Sequence, residues 1–361
     1  MPDIDTEIAP IDSKVVFVCE GRSFTGRDVM DAAHFRGEVE PEWNNLLRLL
    51  AAERRADEQN IEFDGDTIDA AAEQFRYQHD LITAEETERW LAGRGLSLGD
   101  FSAYFVRHYW SGKWDDVAAE TVDYFSAPAE IRKLLLDELI LSGKLDRMAE
   151  RLGRRLSSKY ATGGTSPEPV AIEEERTRFL ERQGIRSEEM PVWLERLGRD
   201  DDWLRETLAL EATYRRSLGA LLSHEARQRQ FADLRLPLTR FEVEMIELDT
   251  LDAAREALLC VRDDGMSMEE VAAEGRYPYR HPEILLEDLP EDLQCKFLGV
   301  RPGDIVEPIA RGDSFHLCRI VRKEEPNLDD PVVRERADQC ILDRHFSDLA
   351  IRYIHWRILL T

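Results

Sequence analysis

One run leaves the backbone few choices: Leu289-Pro290-Glu291-Asp292-Leu293-Gln294-Cys295-Lys296-Phe297-Leu298-Gly299-Val300-Arg301-Pro302-Gly303-Asp304-Ile305-Val306-Glu307-Pro308-Ile309. A short helix carrying Leu293 and Phe297 must stop before the Arg301-Pro302-Gly303-Asp304 corner, because proline and glycine there dictate a turn. Ile305 to Ile309 then reads as a strand, followed by a charged turn from Ala310 to Asp313 and a second strand from Ser314 to Val321. Upstream, Phe241 to Leu248 has the composition of a strand. The helix from Asp252 to Arg262 places Ala254, Leu258 and Val261 on one side, and Met266 to Ala272 forms another. From Arg240 to Asp330 the chain therefore reads strand, helix, loop, helix, strand, a small α/β unit.

A chain of 361 residues is long enough for two or three cores of ordinary size. Its 48 basic residues face 74 acidic ones, for a net charge of -26. Such a balance argues against nucleic acid and anionic membranes as partners, since phosphate binding is driven by Lys and Arg. It allows a basic peptide partner, and it equally serves solubility. No stretch is long and apolar enough to span a bilayer, and the acidic start (Asp3, Asp5, Glu7) does not look like a secretory leader. The five cysteines, Cys19, Cys260, Cys295, Cys318 and Cys340, form no CxxC pair and no metal-like cluster with histidine. This pattern predicts a reducing, cytoplasmic setting with neither metal nor cofactor.

Lys14 to Glu20 is predicted as a strand, and Thr25 or Asp28 as the cap of a helix holding Val29, Met30, Ala33 and Phe35. A second helix is expected after Pro41. Residues 66–227 read as almost wholly helical and contain an internal repeat. Phe75, Leu81, Thr83 with two following glutamates, and Trp90-Leu91 recur in the same order as Phe179, Ile185, Ser187 with two glutamates, and Trp193-Leu194. Each copy leads into another helix, at Asp100-Phe101 and Asp202-Trp203. The aromatics at these junctions either fix the angles between helices or anchor a ligand. The glycine-rich loop at 161–169 lacks the pattern of a phosphate cradle and reads as a connection. A long amphipathic helix is expected at the C-terminus, through Phe346, Leu349, Ile351, Tyr353 and Trp356.

The helix, the Arg301-Pro302-Gly303-Asp304 corner and the Phe315-His316-Leu317 strand resemble the C-terminal half of a parvulin-type peptidyl-prolyl isomerase domain. The helical region, with Gly95-Leu96-Ser97-Leu98-Gly99-Asp100-Phe101, is similar to the substrate-holding segment of SurA-like chaperones. The resemblance implies a site built from two histidines on neighbouring strands, an Asp or Cys, a Ser or Thr, and an apolar floor for proline. His316 fits the second histidine. Where the family has the first, this chain has Glu244-Met245-Ile246. The segment that carries the family's Asp or Cys is replaced by Glu274-Gly275-Arg276-Tyr277-Pro278-Tyr279-Arg280-His281-Pro282.

Three roles are therefore open to His316: a sheet histidine, a member of a peptide pocket, or a catalytic group with Glu244, Tyr279 or His281 replacing the lost donors. Phe297, Leu293, Met266 and Phe315 are candidates for the peptide-contacting apolar set, with Trp90 and Trp193 as anchors in the helical body. The fold expected is α+β: residues 1–160 a strand and helical region with the first repeat copy near 66–125, 161–230 the second copy, 231–325 the parvulin-like domain and 326–361 the C-terminal helix. The expected function is binding of unfolded or precursor peptides, proline-containing ones included, as a chaperone or maturation accessory. An active isomerase with an altered polar site and a structural assembly subunit, homo-oligomeric in the simplest case, are the alternatives.

Overall fold

The computed structural model describes residues 11–114, 119, 121–312 and 314–358. The acidic Asp3, Asp5 and Glu7, and Asp313 of the predicted turn, lie outside them. The chain forms two compact units, Met1–Leu218 with His345–Thr361, and Gly219–Arg344. One is mostly helical and the other combines helices with a sheet, so the fold is α+β.

In the first unit, β1 (Val15–Cys19) and β2 (Arg22–Thr25) form a hairpin. Its two turn residues, Glu20 and Gly21, both have positive φ, matching the right-handed twist of the strands. The helix α1 (Gly26–Phe35) follows at once. Thr25 Oγ1 accepts from the Asp28 N–H at 3.3 Å, and Asp28 Oδ2 accepts from the Thr25 N–H at 2.8 Å. The two cap candidates are thus two halves of one capping box. Helix α2 (Val39–Glu58) begins before Pro41 rather than after it. A proline in the first turn removes an N–H that has no intrahelical partner anyway.

Helices α3 (Gly65–Gln78), α4 (Ala84–Arg94) and α5 (Leu98–Lys113) follow, then α6 (Ala129–Leu141) and α7 (Lys144–Ala161). The three helices α8 (Pro169–Gln183), α9 (Met190–Leu197) and α10 (Asp201–Leu221) parallel α3 to α5. In both sets the tryptophan of the middle helix meets the phenylalanine of the first edge-on. The ring centroids lie 5.6 Å apart for Phe75 and Trp90, and 4.9 Å for Phe179 and Trp193. Gly95 and Gly198, both left-handed, end the middle helices. The starts differ. Thr83 and Glu86 form a capping box, whereas Ser187 opens a single 3-10 turn before Pro191 enters α9.

The second unit comprises α11 (His224–Leu234), β3 (Arg240–Leu248), α12 (Leu251–Arg262), α13 (Met268–Gly275), β4 (Tyr279–Arg280), β5 (Glu283–Leu285), α14 (Glu291–Gly299), β6 (Ile305–Arg311), β7 (Ser314–Glu324) and most of α15 (Pro331–Tyr353). Its sheet has the order β4-β3-β7-β6, with β5 also on β3, and every pairing is antiparallel. The corner before β6 closes as its sequence requires. Asp304 Oδ2 accepts from the Arg301 N–H at 2.7 Å, Gly303 takes φ 95°, and its N–H donates to the Ile320 carbonyl at 2.7 Å.

Helix α15 ends at Tyr353, earlier than predicted. Ile354–Trp356 is a strand, β8, paired with β1 in the first unit, and Trp356 packs edge-on against Phe17 at 5.2 Å. A helix through Trp356 would forfeit that ladder and the burial of Ile354 in the core. Ile351, expected on the apolar side of the helix, is 81% exposed, while Phe346 and Leu349 are buried.

Candidate functional site

The sheet of the second unit is covered on both faces, and strand alternation assigns every side chain to one of them. On one face Phe241, Val243 and Met245 of β3 and Cys318 and Ile320 of β7 pack with Leu293 and Phe297 of α14. On the other, Ile246 and Leu248 of β3 and Leu317 of β7 pack with α12 and α13. Register fixes the polar residues between them. Glu247 lies opposite His316, which in turn lies opposite Ile309 of β6. His316 therefore shares the α14 face with Glu247.

His316 is half-buried, and its pKa is lowered, first by burial. Glu247 opposes that shift, whereas Arg311 and Arg280 reinforce it. Two positions along β7 on the same face, Cys318 is buried and its thiol is pushed up to about 12 by burial, which leaves it un-ionised and unreactive.

Glu244 and Tyr279 occupy the opposite face. Tyr279 Oη donates to Glu244 Oε1 at 2.8 Å, and Arg319 Nε donates to Glu244 Oε2 at 2.5 Å. Burial, then the hydrogen bond to the Glu244 carboxylate, pushes the Tyr279 hydroxyl up to about 12, so it remains a donor. The structure thus does not bring His316, Glu244 and Tyr279 together. The reason is parity: Glu244 is three residues from Glu247, and an odd step along a strand changes face. The residue across from His316 is Glu247, which the family pattern did not single out. The signal for it lies in β3 itself, where Phe241, Val243 and Met245 alternate in one parity and Ile246 and Leu248 in the other.

The apolar candidates divide in the same way. Phe297 is 1% and Leu293 4% exposed, core residues rather than a floor open to a ligand. Phe297 meets Phe241 edge-on at 5.4 Å. Met266 and Phe315 are half-buried on the α12 and α13 face, away from His316. His281 is exposed, with Nε2 3.5 Å from Glu242. In the helical unit Trp193 is buried at its junction with Phe179. Half-buried Trp90 is sandwiched between Phe75 and the Arg94 guanidinium, 3.9 Å from its ring. Both tryptophans pack at helix junctions. Among the described residues no group of His, Cys, Asp and Glu could hold a metal ion, and no helix is long and apolar enough to cross a membrane.

The first unit contains open spaces that sequence reading did not locate. One of about 740 Å³ lies beside α1, walled by His34, Tyr124, Phe125 and Arg132. Another of about 590 Å³ lies between α2 and α5.

No family model matches the sequence, and no curated protein matches it. Solved structures similar to this chain include peptidylprolyl isomerases and chaperones. One is the peptidylprolyl isomerase PrsA of Bacillus cereus, at 13% identity and TM-score 0.36, covering 59% of this chain and 84% of that one. PrsA of Bacillus anthracis is matched at 12% identity and TM-score 0.30, over 56% of this chain and 96% of that one. A SurA-like chaperone of Campylobacter jejuni is matched at 8% identity and TM-score 0.20, over 60% and 88%.

Proposed function

We propose that this chain is a chaperone-like holder of unfolded or precursor polypeptides, with a parvulin-like unit that does not isomerise prolyl bonds efficiently. The separation of His316 from Glu244 and Tyr279 carries this reading. Rotation about an X–Pro bond needs no nucleophile, but its barrier of roughly 18–20 kcal/mol falls only if donors and an apolar pocket converge on the twisted amide. Here the donor Tyr279 is committed to Glu244 on one face. His316 stands on the other, over a core already filled by Phe297 and Leu293. The open spaces of the helical unit and the sequence resemblance to SurA-like chaperones support polypeptide binding, and five free thiols support a cytoplasmic setting.

The test is a protease-coupled isomerisation assay on X–Pro peptides, beside fluorescence anisotropy with a labelled unfolded polypeptide. Binding without acceleration is the expected result. Acceleration that disappears in His316→Ala would replace this reading with an active isomerase. Neither binding nor acceleration would leave an assembly role.

A further inference from the structure

The 590 Å³ crevice of the first unit combines features that a solvated helical surface does not need. Its floor is half-buried Val106 of α5, beside Trp110, which is itself buried against Ala52 and Ala56. One wall is Ile61 and Phe63, 40% and 51% exposed, in the link between α2 and α3. That link is held at both ends. Asn60 adopts the left-handed conformation while the Ile61 N–H closes α2 on the Ala56 carbonyl at 3.1 Å, and the Asp64 N–H donates to Tyr109 Oη at 3.2 Å. The two apolar side chains are therefore presented by an anchored segment.

The rim is acidic. Glu53 and Asp57 stand one turn apart on α2, and Glu62 lies on the link. Like charges at that spacing weaken a helix rather than support it. None of the three forms an ion pair with another described residue. The cations nearby are committed elsewhere: Arg107 to Glu138 at 2.8 Å, Lys113 over the Tyr109 and Trp110 rings, and Arg55 over Trp114. Burial, opposed by Arg107 and reinforced by Asp57, raises the Glu53 carboxyl.

We infer that this crevice docks a cationic, apolar peptide segment, with one large apolar side chain against Val106 and Phe63 and a neighbouring Lys or Arg on Glu53 and Asp57. The inference rests on the polypeptide-binding reading above and gives it a site and a client chemistry. The net charge of -26 would also steer such a segment toward the protein.

The experiment uses the full chain and three fluorescein-labelled peptides of equal length. One alternates Lys with Leu and Phe, one replaces each Lys by Glu, and one replaces each Leu and Phe by Ser. Two half-exposed ion pairs predict about tenfold tighter binding of the first peptide than the second at low salt, fading as salt rises. Glu53→Gln combined with Asp57→Asn should abolish that preference. Phe63→Ser, an exposed change that leaves the core intact, should weaken the first peptide several-fold and leave the Ser peptide as weak as before. If the wild type binds the first peptide and neither variant changes it, this crevice is not the site, although the chaperone reading survives. If no peptide binds the wild type, both fall.

Discussion

The two units treat charge differently. Every charged residue buried as a whole, among the described residues, belongs to the helical unit: Asp31, Arg94, Arg107, Asp137, Glu138, Glu175 and Glu211. Several join elements distant in sequence. Arg107 Nε and His108 Nε2 approach the two oxygens of Glu138 at 2.8 and 2.9 Å, tying α5 to α6. Glu211 accepts from Arg155 at 2.6 Å, Asp31 from Arg199 at 2.6 Å, and Glu175 takes both Arg178 and Arg215. In the second unit the buried polar residues are the uncharged Gln230 and Thr239, and its ionic groups stay partly in water. The difference follows from how each architecture fixes its register. Backbone ladders align β3, β7 and β6 without help from side chains. Apolar helix faces slide more readily, and a buried ion pair that can be met in only one arrangement selects among them.

This contrast is testable. Glu138→Ala would leave Arg107 buried and unpaired, which costs about 3–5 kcal/mol. All seven tryptophans lie in the first unit, so intrinsic fluorescence during urea unfolding reports on that unit alone. A loss under about 1 kcal/mol would show that the pair does not hold the helices, and the comparison would break.

A second effect is set by pH. His34 packs against Tyr124 and Phe125, with centroids at 4.5 and 5.1 Å, and burial lowers its pKa to about 4. The unfolded imidazole titrates near 6.5, so between those values the unfolded chain takes up a proton that the folded chain refuses. Stability is therefore complete above the unfolded value and is lost as pH falls from about 6.5 toward 4, by up to about 3 kcal/mol. Asp146 acts in the opposite sense. Burial pushes it to about 7, so its contribution is full at low pH and declines as pH rises. The informative quantity is thus the difference between wild type and His34→Gln. By tryptophan fluorescence the wild type should lose stability relative to the variant on acidification, and a pH-independent difference would discard His34 as the cause.

Local chemistry was legible in the sequence where neighbours decide the outcome. The Arg301-Pro302-Gly303-Asp304 corner, the Thr25 and Asp28 cap, and the Phe and Trp junctions of the two helical sets all depend on residues close along the chain. The faces of Glu244 and Glu247 were readable from the alternation within β3, but which of its residues lies opposite His316 was not, because that depends on register against a partner some seventy residues away. A β-bulge between Glu242 and Val243 adds to the difficulty. Strand β8 was hidden for a similar reason. Three residues following a long helix carry no period, and only pairing with β1, at the far end of the chain, makes them a strand. Ile61 and Phe63 were readable as apolar residues within an acidic link, but their exposure was not.

The smallest effects bear on the second unit. Glu244→Ala removes the acceptor of both Tyr279 and Arg319, and charge-assisted hydrogen bonds at a half-buried position are worth about 1–2 kcal/mol together. His316→Ala should change stability by no more than about 0.5 kcal/mol, as for a half-buried residue outside any network. The second unit contains no tryptophan, so amide hydrogen exchange along β3 and β7 is the appropriate measurement. Glu244→Ala should speed exchange in β3 through global opening of the sheet, whereas His316→Ala should leave it unchanged. If His316→Ala had the larger effect, the histidine would be a structural part of the sheet. If it had none, while Glu244→Ala had the predicted one, the sheet would depend on the face that carries Glu244 and Tyr279 rather than on the face of His316. His316 would then be dispensable for folding.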